Sequence, residues 1–170
     1  MTIQQSPNLP PRTRPLVGWE HRLYPGGLAH TRTVRADLAT DLHGFDPDLV
    51  DTVQLCVSEL FANCVKYTDS GRPGADVLRA LCLTDPHTLR VGLSDWGGSG
   101  SLPRVPSDRT DDEWDWAEGQ RGLALVENLS TGWGNWRQAP WADLGTHVWA
   151  EFALDPAEVP VLPPYVFTHP

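Results

Sequence analysis

The spacing of hydrophobic residues changes along the chain, and each spacing predicts a different element. Residues 16–24, LVGWEHRLY, are rich in strand-forming side chains and predict a first strand. Between residues 28 and 42 the apolar positions recur every four residues, which is the period of one helix face, and Gly44 marks the end of that helix. This helix is expected to turn one stripe of residues toward the core: Val34, Leu38 and Leu42.

The next segment predicts a longer second helix. Asp46 is a favourable N-cap, Pro47 suits the first helical turn, and the helical pattern continues to about Thr68. Its apolar residues return every three or four positions, so one side of the helix is expected to face the core: Val50, Val53, Val57, Leu60 and Cys64.

The remainder of the chain returns to strands, with one long loop and one short helix between them. Asp85 and Pro86 predict a tight turn between the first two of these strands. The elements are expected in this order: strands near 76–83 and 88–95, a loop over 97–118, a helix over 123–129, and strands near 131–137 and 146–154. This order predicts an α/β two-layer sandwich, with a mixed, mostly antiparallel sheet and the helices on one face.

Both ends of the chain are rich in proline, which removes backbone donors and opposes helix formation. We expect residues 1–16 to form an extended or disordered tail and residues 155–170 to form a second proline-rich tail. The folded domain is expected to span residues 17–154.

Composition argues against several classes of protein. The net charge of −9 disfavours direct nucleic-acid binding, because such binders present a basic surface to the phosphates. No apolar run approaches the roughly 18 residues of a membrane span and the first residues lack a signal-peptide stretch, so a cytoplasmic protein without membrane contact is expected. The histidines and cysteines lack metal-ligand spacing, and the three cysteines are expected to be reduced core residues: Cys56, Cys64 and Cys82.

Three polar residues share the face of the second helix opposite its apolar stripe. Glu59, Asn63 and Lys66 are spaced i, i+4 and i+7, so they project from one side. The amide oxygen of Asn63 is a hard ligand of the kind that Mg²⁺ prefers, and Glu59 could accept a proton or hold a water of the metal. A solvated helix face explains the same pattern, so both interpretations stay open on this helix alone.

Residues 95–100, DWGGSG, follow directly on a predicted strand. Glycines in this place indicate close approach of the backbone to a dinucleotide, a nucleotide phosphate or a metal, or else a tight turn. The residues that follow do not begin a helix, which a Rossmann site needs under the pyrophosphate, and the chain has no P-loop motif.

Four blocks taken together are more specific than any one of them. The chain carries, in order, ELFANCVKY, SDWGGSG at a strand end, GQRGLALVENL and LGTHVW. In these blocks, and over roughly residues 17–154, it resembles the GHKL family of ATP-binding domains, which have the histidine-kinase-like ATPase fold. It is most similar to the branch of small bacterial anti-sigma factors that also act as serine-protein kinases.

The resemblance implies roles for three residues around the base of ATP. Asp95 would accept a hydrogen bond from the adenine amino group, and the turn at Gly97 would leave room for the ring. Thr146 would help to bind adenine through its hydroxyl group and a water.

The resemblance also implies roles on the phosphate side. Asn63 would hold Mg²⁺ between the phosphates, and Glu59 would be the base for phosphoryl transfer. Lys66, on the same face of the helix, is expected to help bind the cofactor. The start of the third helix would bring backbone donors and a cation to the phosphates, through the block Gly119, Arg121, Gly122 and Leu123.

The chain departs from the family pattern on this same side. The family's second glycine would stand at position 99, where the chain has Ser99, and Gly100 follows one step late. The family's Gly-x-Gly-Leu block is stretched by one residue, between Gly119 and Gly122. Nucleotide affinity and turnover are therefore more affected than the fold.

The loop over residues 108–118 is strongly acidic, with six acidic residues against one arginine. Such a loop repels a triphosphate unless it stays open, binds Mg²⁺ or faces away, so Arg121 is expected to be the phosphate cation ahead of Arg104 and Arg109. A solvated loop and a docking loop anchored by Trp114 and Trp116 both remain open.

These observations predict a regulatory protein that binds ATP and Mg²⁺. By resemblance, it would sequester a sigma factor and phosphorylate a serine of an antagonist protein. The alternative is a non-catalytic module in which ATP gates binding of a protein partner through a degenerate site. Histidine-kinase activity is poorly supported because the chain has no helix pair with a phosphoacceptor histidine, and a homodimer is left open.

Overall fold

The computed structural model describes residues 14–98, 100, 103, 105, 118–139, 141–162 and 166–168. The helices in these ranges are α1 (Thr31–Asp41), α2 (Pro47–Tyr67) and α3 (Glu118–Leu129). The strands are β1 (Val17–Trp19), β2 (Arg22–Pro25), β3 (Asp76–Asp85), β4 (Thr88–Ser94), β5 (Gly132–Arg137), β6 (Thr146–Ala153) and β7 (Val166–Thr168). Short 3-10 turns occur at Leu28–His30, Asp69–Gly71 and Pro156–Glu158.

All seven strands belong to one sheet in the order β5-β6-β4-β3-β1-β7, with β2 also paired to β3. Every strand pair that the structure describes is antiparallel. Alternate residues of the strands are buried in one core with the apolar faces of the helices, as the period of two in β3 shows. The two-layer α/β fold predicted from the sequence is therefore confirmed.

Helix α2 lies at the centre of the helical layer, in contact with α1, α3 and the middle strands β3, β4 and β6. Its N-terminus is capped by the Asp46 side chain, which accepts a hydrogen bond from the N–H of Asp48 at 3.4 Å. The predicted apolar stripe is buried except for Val50, which is half-buried, and Cys56 and Phe61 extend it. Glu59, Asn63 and Lys66 are not part of this buried stripe.

The predicted first strand is divided into β1 and β2, which both pair with β3. Gly18 lies opposite Cys82 and Arg22 lies opposite Arg79, so residues 19–21 face only residues 80–81. The one extra residue is a bulge, which shifts the alternation of side chains. As a result both Trp19 and Arg22 point toward α1 and bond to Asp41.

Two further boundaries differ from the sequence prediction. Helix α3 begins at Glu118, not at Leu123, so the glycine-containing block is helical. In the C-terminal segment, β7 pairs with β1 at the edge of the sheet and was not predicted. No helix within the described ranges is both long enough and apolar enough to cross a membrane.

Candidate functional site

Asp95 leaves β4 at the point where β4 meets β6. Its backbone N–H donates to the carbonyl of Thr146 at 3.0 Å. Its side-chain Oδ1 accepts hydrogen bonds from the N–H of Thr146 at 3.0 Å and from the N–H of Gly97 at 2.7 Å. Both bonds end on Oδ1, and among the described residues no donor is placed on Oδ2. One oxygen therefore fixes the carboxylate, and the other can accept a bond from a ligand.

The electrostatic surroundings of Asp95 have opposing effects on its pKa. Burial, which leaves the residue 6% exposed, raises the pKa above its ordinary value of 3.8. The two backbone hydrogen bonds lower it in part, and the nearby charge of Asp143 raises it further. A buried acceptor with one fixed oxygen suits a neutral donor such as an amino group on an aromatic ring.

The residues after Asp95 form a tight segment that requires glycine. Gly97 and Gly98 have φ angles of 79° and 81°, in the region that side-chain-bearing residues rarely adopt. A Cβ atom on Gly97 would lie 2.4 Å from Oδ1 of Asp143, and one on Gly98 would lie 2.5 Å from Cγ of Asp69. The segment is therefore held between the turn after α2 and the loop between β5 and β6.

Backbone contacts tie the same segment to the C-terminal end of α2. The N–H of Asp69 donates to the carbonyl of Gly97 at 2.7 Å, and the N–H of Trp96 donates to Oγ of Ser70 at 3.0 Å. Burial raises the pKa of the Cys64 thiol, and the charge of Asp95 adds to this effect, which places the carboxylate near α2. The last turns of α2, with half-buried Asn63 and exposed Lys66, thus lie beside the Asp95 segment.

Helix α3 approaches α2 on the side of Glu59. A Cβ atom on Gly122 would lie 2.5 Å from Oε2 and 3.3 Å from Cβ of Glu59, so a larger residue here would force the Glu59 side chain to move. Gly119 lies in the first turn of α3, Arg121 is exposed, and Leu123 is buried in the hydrophobic core. The side chain of Leu123 thus packs in the core, and only its backbone could contact a ligand.

The structure brings the sequence-predicted residues together in two groups. Asp95, Gly97 and Thr146 are joined by hydrogen bonds, and Glu59 touches Gly122. Helix α2 connects the groups, because Asn63 lies one turn beyond Glu59 and the helix ends beside Gly97. The remaining predicted positions lie outside the described residues: Ser99, Arg104, Arg109 and the acidic loop up to residue 117.

Several residues that shape the site are not predicted from the sequence. Asp143 accepts the N–H of Gly98 at 2.9 Å, and the side-chain amide of Gln138 lies 3.3 Å from the carbonyl of Asp95. Ser70, which is fully buried, joins the Trp96 N–H to the carbonyl of Asp76. The residues that contact Trp96, Asp95 and Gly98 are 26 to 45 positions away from them in the sequence. No local sequence pattern predicts contacts over such distances.

The donor set fits a nucleotide with Mg²⁺. The amide oxygen of Asn63 on α2 is a hard ligand that Mg²⁺ accepts while it keeps several waters, and the Glu59 carboxylate one helical turn away is placed to accept a proton. The second turn of α3, at Gly122, lies against the Glu59 carboxylate, and the N-terminus of this twelve-residue helix favours anionic groups.

Comparison with known proteins agrees with this geometry. A family profile described as "Histidine kinase-like ATPase domain" matches residues 24–152. The match includes α1 to α3, both residue groups of the site and most of β6. No curated protein is significantly similar to the chain.

Proposed function

The chain belongs to the histidine kinase-like ATPase domain family, and on this premise we propose that it binds ATP with Mg²⁺ between α2, α3 and the Asp95 segment. The observation that carries the proposal is the Asp95 carboxylate, which is fixed through Oδ1 and has no described donor on Oδ2, the oxygen that would accept a bond from the adenine amino group. The close contact of Gly122 with Glu59 supports a phosphate side at the start of α3.

Each part of the site has a task in this proposal. Asp95 orients the base, and Gly97 lets the backbone pass close to the ring. Asn63 would hold Mg²⁺, which when bound offsets the negative charge of the phosphates. Backbone N–H groups of the first turn of α3 and the Arg121 guanidinium would face the phosphates.

We further propose a serine-protein kinase that sequesters a sigma factor in one nucleotide state. A serine hydroxyl oxygen of an antagonist protein would form the new bond to the γ-phosphorus as the bond to ADP breaks. Glu59 would take the hydroxyl proton, since its carboxylate lies next to the start of α3. What supports this function is the resemblance of the four sequence blocks to small anti-sigma kinases.

A second function is favoured by the spacing in α3. Gly119 and Gly122 stand three residues apart within the helix, so they lie on one face of it, and Gly122 is packed against Glu59. A carboxylate held against a helix is less free to act as a base. In this alternative the protein is a non-catalytic module, and ATP gates the binding of a protein partner.

Calorimetric titration with ATP, with and without Mg²⁺, tests nucleotide binding. Saturable binding that depends on Mg²⁺ and is lost in Asn63→Ala and Asp95→Ala is the expected result. Asp155→Ala is a matched control, because Asp155 caps a 3-10 turn outside the site. Absence of binding by the unaltered protein at millimolar ATP would contradict the proposal.

Transfer of labelled γ-phosphate to a candidate antagonist separates the kinase from the gate. In a kinase, Glu59→Gln abolishes transfer, whereas the affinity for ATP changes by less than about threefold, because the base acts on the acceptor hydroxyl. In a gate, the unaltered protein binds ATP and transfers nothing.

A further inference from the structure

A serine and a histidine form a pair immediately outside the Asp95 site. Oγ of Ser94 and Nδ1 of His147 are 2.8 Å apart, and the two residues face each other across β4 and β6. Ser94 directly precedes Asp95, and His147 directly follows Thr146. The pair therefore joins the two strands one residue before the bonds that fix the carboxylate.

The His147 ring is held in one place by its neighbours. The ring of Trp136 stacks on it with 4.2 Å between centroids, and a Cβ atom on Gly92 would lie 2.3 Å from its Nε2. Burial lowers the pKa of His147 to about 4, helped by the charge of Arg90, so the ring is neutral at pH 7. A neutral, immobile ring gives Ser94 a fixed partner.

The pair lies on the opposite face of the sheet from the helices. Side chains alternate along a strand, so Ser94 and His147 point outward where Asp95 and Thr146 point inward. Neither side chain of the pair can touch a ligand between the sheet and α2. Any influence on the site passes through the backbone of Asp95 and Thr146.

We propose that Ser94 and His147 are positioning residues for Asp95, which make it selective for a six-amino purine. Without their bond, the ends of β4 and β6 separate more readily, and the N–H groups of Thr146 and Gly97 hold Oδ1 less firmly. Oδ2 then loses its fixed direction toward the base. The selectivity rests on the proposed function, whereas the positioning of the carboxylate does not.

The same two strands provide a matched control pair. Arg90 and Glu151 face each other on the same side of the sheet, with Nε of Arg90 2.9 Å from Oε1 of Glu151. They lie four positions from Ser94 and His147, away from Asp95. Glu151→Gln removes the negative charge of this pair and so weakens a cross-strand ion pair without touching the end of the strands.

Amide hydrogen exchange in the protein without nucleotide tests the positioning. In Ser94→Ala and in His147→Ala, exchange of the Gly97 and Thr146 amides is expected to be at least about tenfold faster than in the unaltered protein. Ser94→Thr, which keeps the hydroxyl, restores protection, and Glu151→Gln leaves these two amides unchanged. Equal protection in the alanine variants and the unaltered protein would overturn the proposal. If one of the two alanine variants fails to fold, amide exchange in the other still tests the positioning of Asp95.

A comparison of two nucleotides tests the selectivity. Purine riboside triphosphate lacks the six-amino group of ATP, so the ratio of its Kd to that of ATP measures recognition of this group. We expect the ratio to fall at least about threefold in Ser94→Ala and to stay the same in Glu151→Gln. An unchanged ratio in Ser94→Ala would overturn the selectivity. If the unaltered protein binds neither nucleotide, the proposed function fails, and amide exchange still decides the positioning.

Discussion

Asp95 shows how one side chain can have a structural oxygen and a binding oxygen. Oδ1 accepts the two backbone bonds that shape the segment, and no donor among the described residues is placed on Oδ2, which is therefore left for a ligand in the proposed function. The two tasks can be separated by a substitution that keeps the shape and changes the chemistry. Asparagine keeps an oxygen for the backbone donors and replaces the other oxygen with an NH₂ group, which cannot accept.

We expect Asp95→Asn to weaken ATP binding about 10- to 100-fold, because a bond to a charged acceptor becomes a contact between two donors. Thermal unfolding of the same variant is expected to change little, since the backbone bonds persist. Calorimetry and a melting curve measure the two effects. A melting temperature that falls together with the affinity would indicate a structural cause instead.

Gly97 is the second residue on which the site depends. Gly97→Ala combines a positive φ with a collision against Asp143, whereas Gly74→Ala has a φ of 81° and no atom within 4 Å of the new Cβ. We expect Gly74→Ala to cost about 1–2 kcal/mol of unfolding free energy. Gly97→Ala should cost about 1–3 kcal/mol more, from the collision.

Urea denaturation of the two glycine variants measures this difference. Only Gly97→Ala is expected to lose ATP affinity as well, because Gly74 lies outside the site. If the two variants are equally stable, the loop that contains Asp143 moves away from the new Cβ atom without loss of stability. This result would contradict the statement that the loop holds the segment after Asp95 in place.

At the scale of the elements, ion pairs of a buried aspartate connect helix α1 to the sheet. Asp41 at its C-terminal end is 1% exposed and forms ion pairs with Arg22 of β2 and Arg79 of β3. Arg79 is fully buried, and its Nε and Nη1 have no partner among the described residues. Loss of the Asp41 charge would leave the charge of Arg79 uncompensated in the core.

Asp41→Asn is therefore expected to lower the free energy of unfolding by about 3–5 kcal/mol. Asp37→Asn is the control, since Asp37 is more exposed and stands 3.9 Å from Arg22. We expect a loss of about 1 kcal/mol or less for the control. Chemical denaturation at pH 7 measures both, and similar losses would contradict the special place of Asp41.

The pH dependence of stability provides a further check on Asp41. Burial alone would raise its pKa, but the hydrogen bonds from Arg22 and Arg79 outweigh burial and hold the pKa below 3.8. A depressed pKa adds stability above the ordinary value, and this stability is lost as the pH falls through the folded pKa. Unfolding free energy of the unaltered protein should thus decline below about pH 4, and decline less in Asp41→Asn.

The sequence predicted most elements because their signals are local. The capped α2 with its apolar stripe and the β3–β4 turn follow from residues within a few positions of each other. The bulge between β1 and β2, and the burial of Arg79, depend on pairing with distant strands. From the sequence alone, a charged strand residue such as Arg79 is predicted to face solvent, because its ion-pair partner on α1 is not known.

In the candidate site, the sequence predicts the residues that would bind a ligand but not the residues that hold them in place. Asp95, Gly97 and Glu59 are predicted from the sequence because their types and spacing resemble known motifs. Asp143, Ser70 and the Ser94–His147 pair are not, because each acts through a residue far away in the chain. Such supporting contacts follow from the fold, which brings β6 and the turn after α2 to the end of β4.

At the scale of the whole molecule, β7 closes one edge of the sheet. It pairs with β1, and half-buried Val166 packs against the core, at the opposite side of the sheet from β5. β7 also lies outside the residues that match the family. We infer that it serves stability and not nucleotide binding.

Deletion of residues 163–170 is therefore expected to lower the free energy of unfolding by about 1–2 kcal/mol, from the exposure of Val166 and its surroundings. The affinity for ATP should stay within about twofold, because the Asp95 segment lies two strands away from β1. A melting curve and calorimetry on the shortened chain measure the two quantities. A large loss of affinity would connect the sheet edge to the site.

The pairing of β4 with β6 also has a consequence for the order of events during protein synthesis. Asp95 and Thr146 are 51 positions apart, so the carboxylate is not fixed until β6 has left the ribosome. Strands β1 to β4 and helices α1 and α2 precede β6 in the chain, so they can assemble while β6 is still being synthesised. Under the proposed function, a nascent chain that lacks β6 cannot bind the adenine base. Cellular ATP would then stabilise completed molecules and leave interrupted ones without protection.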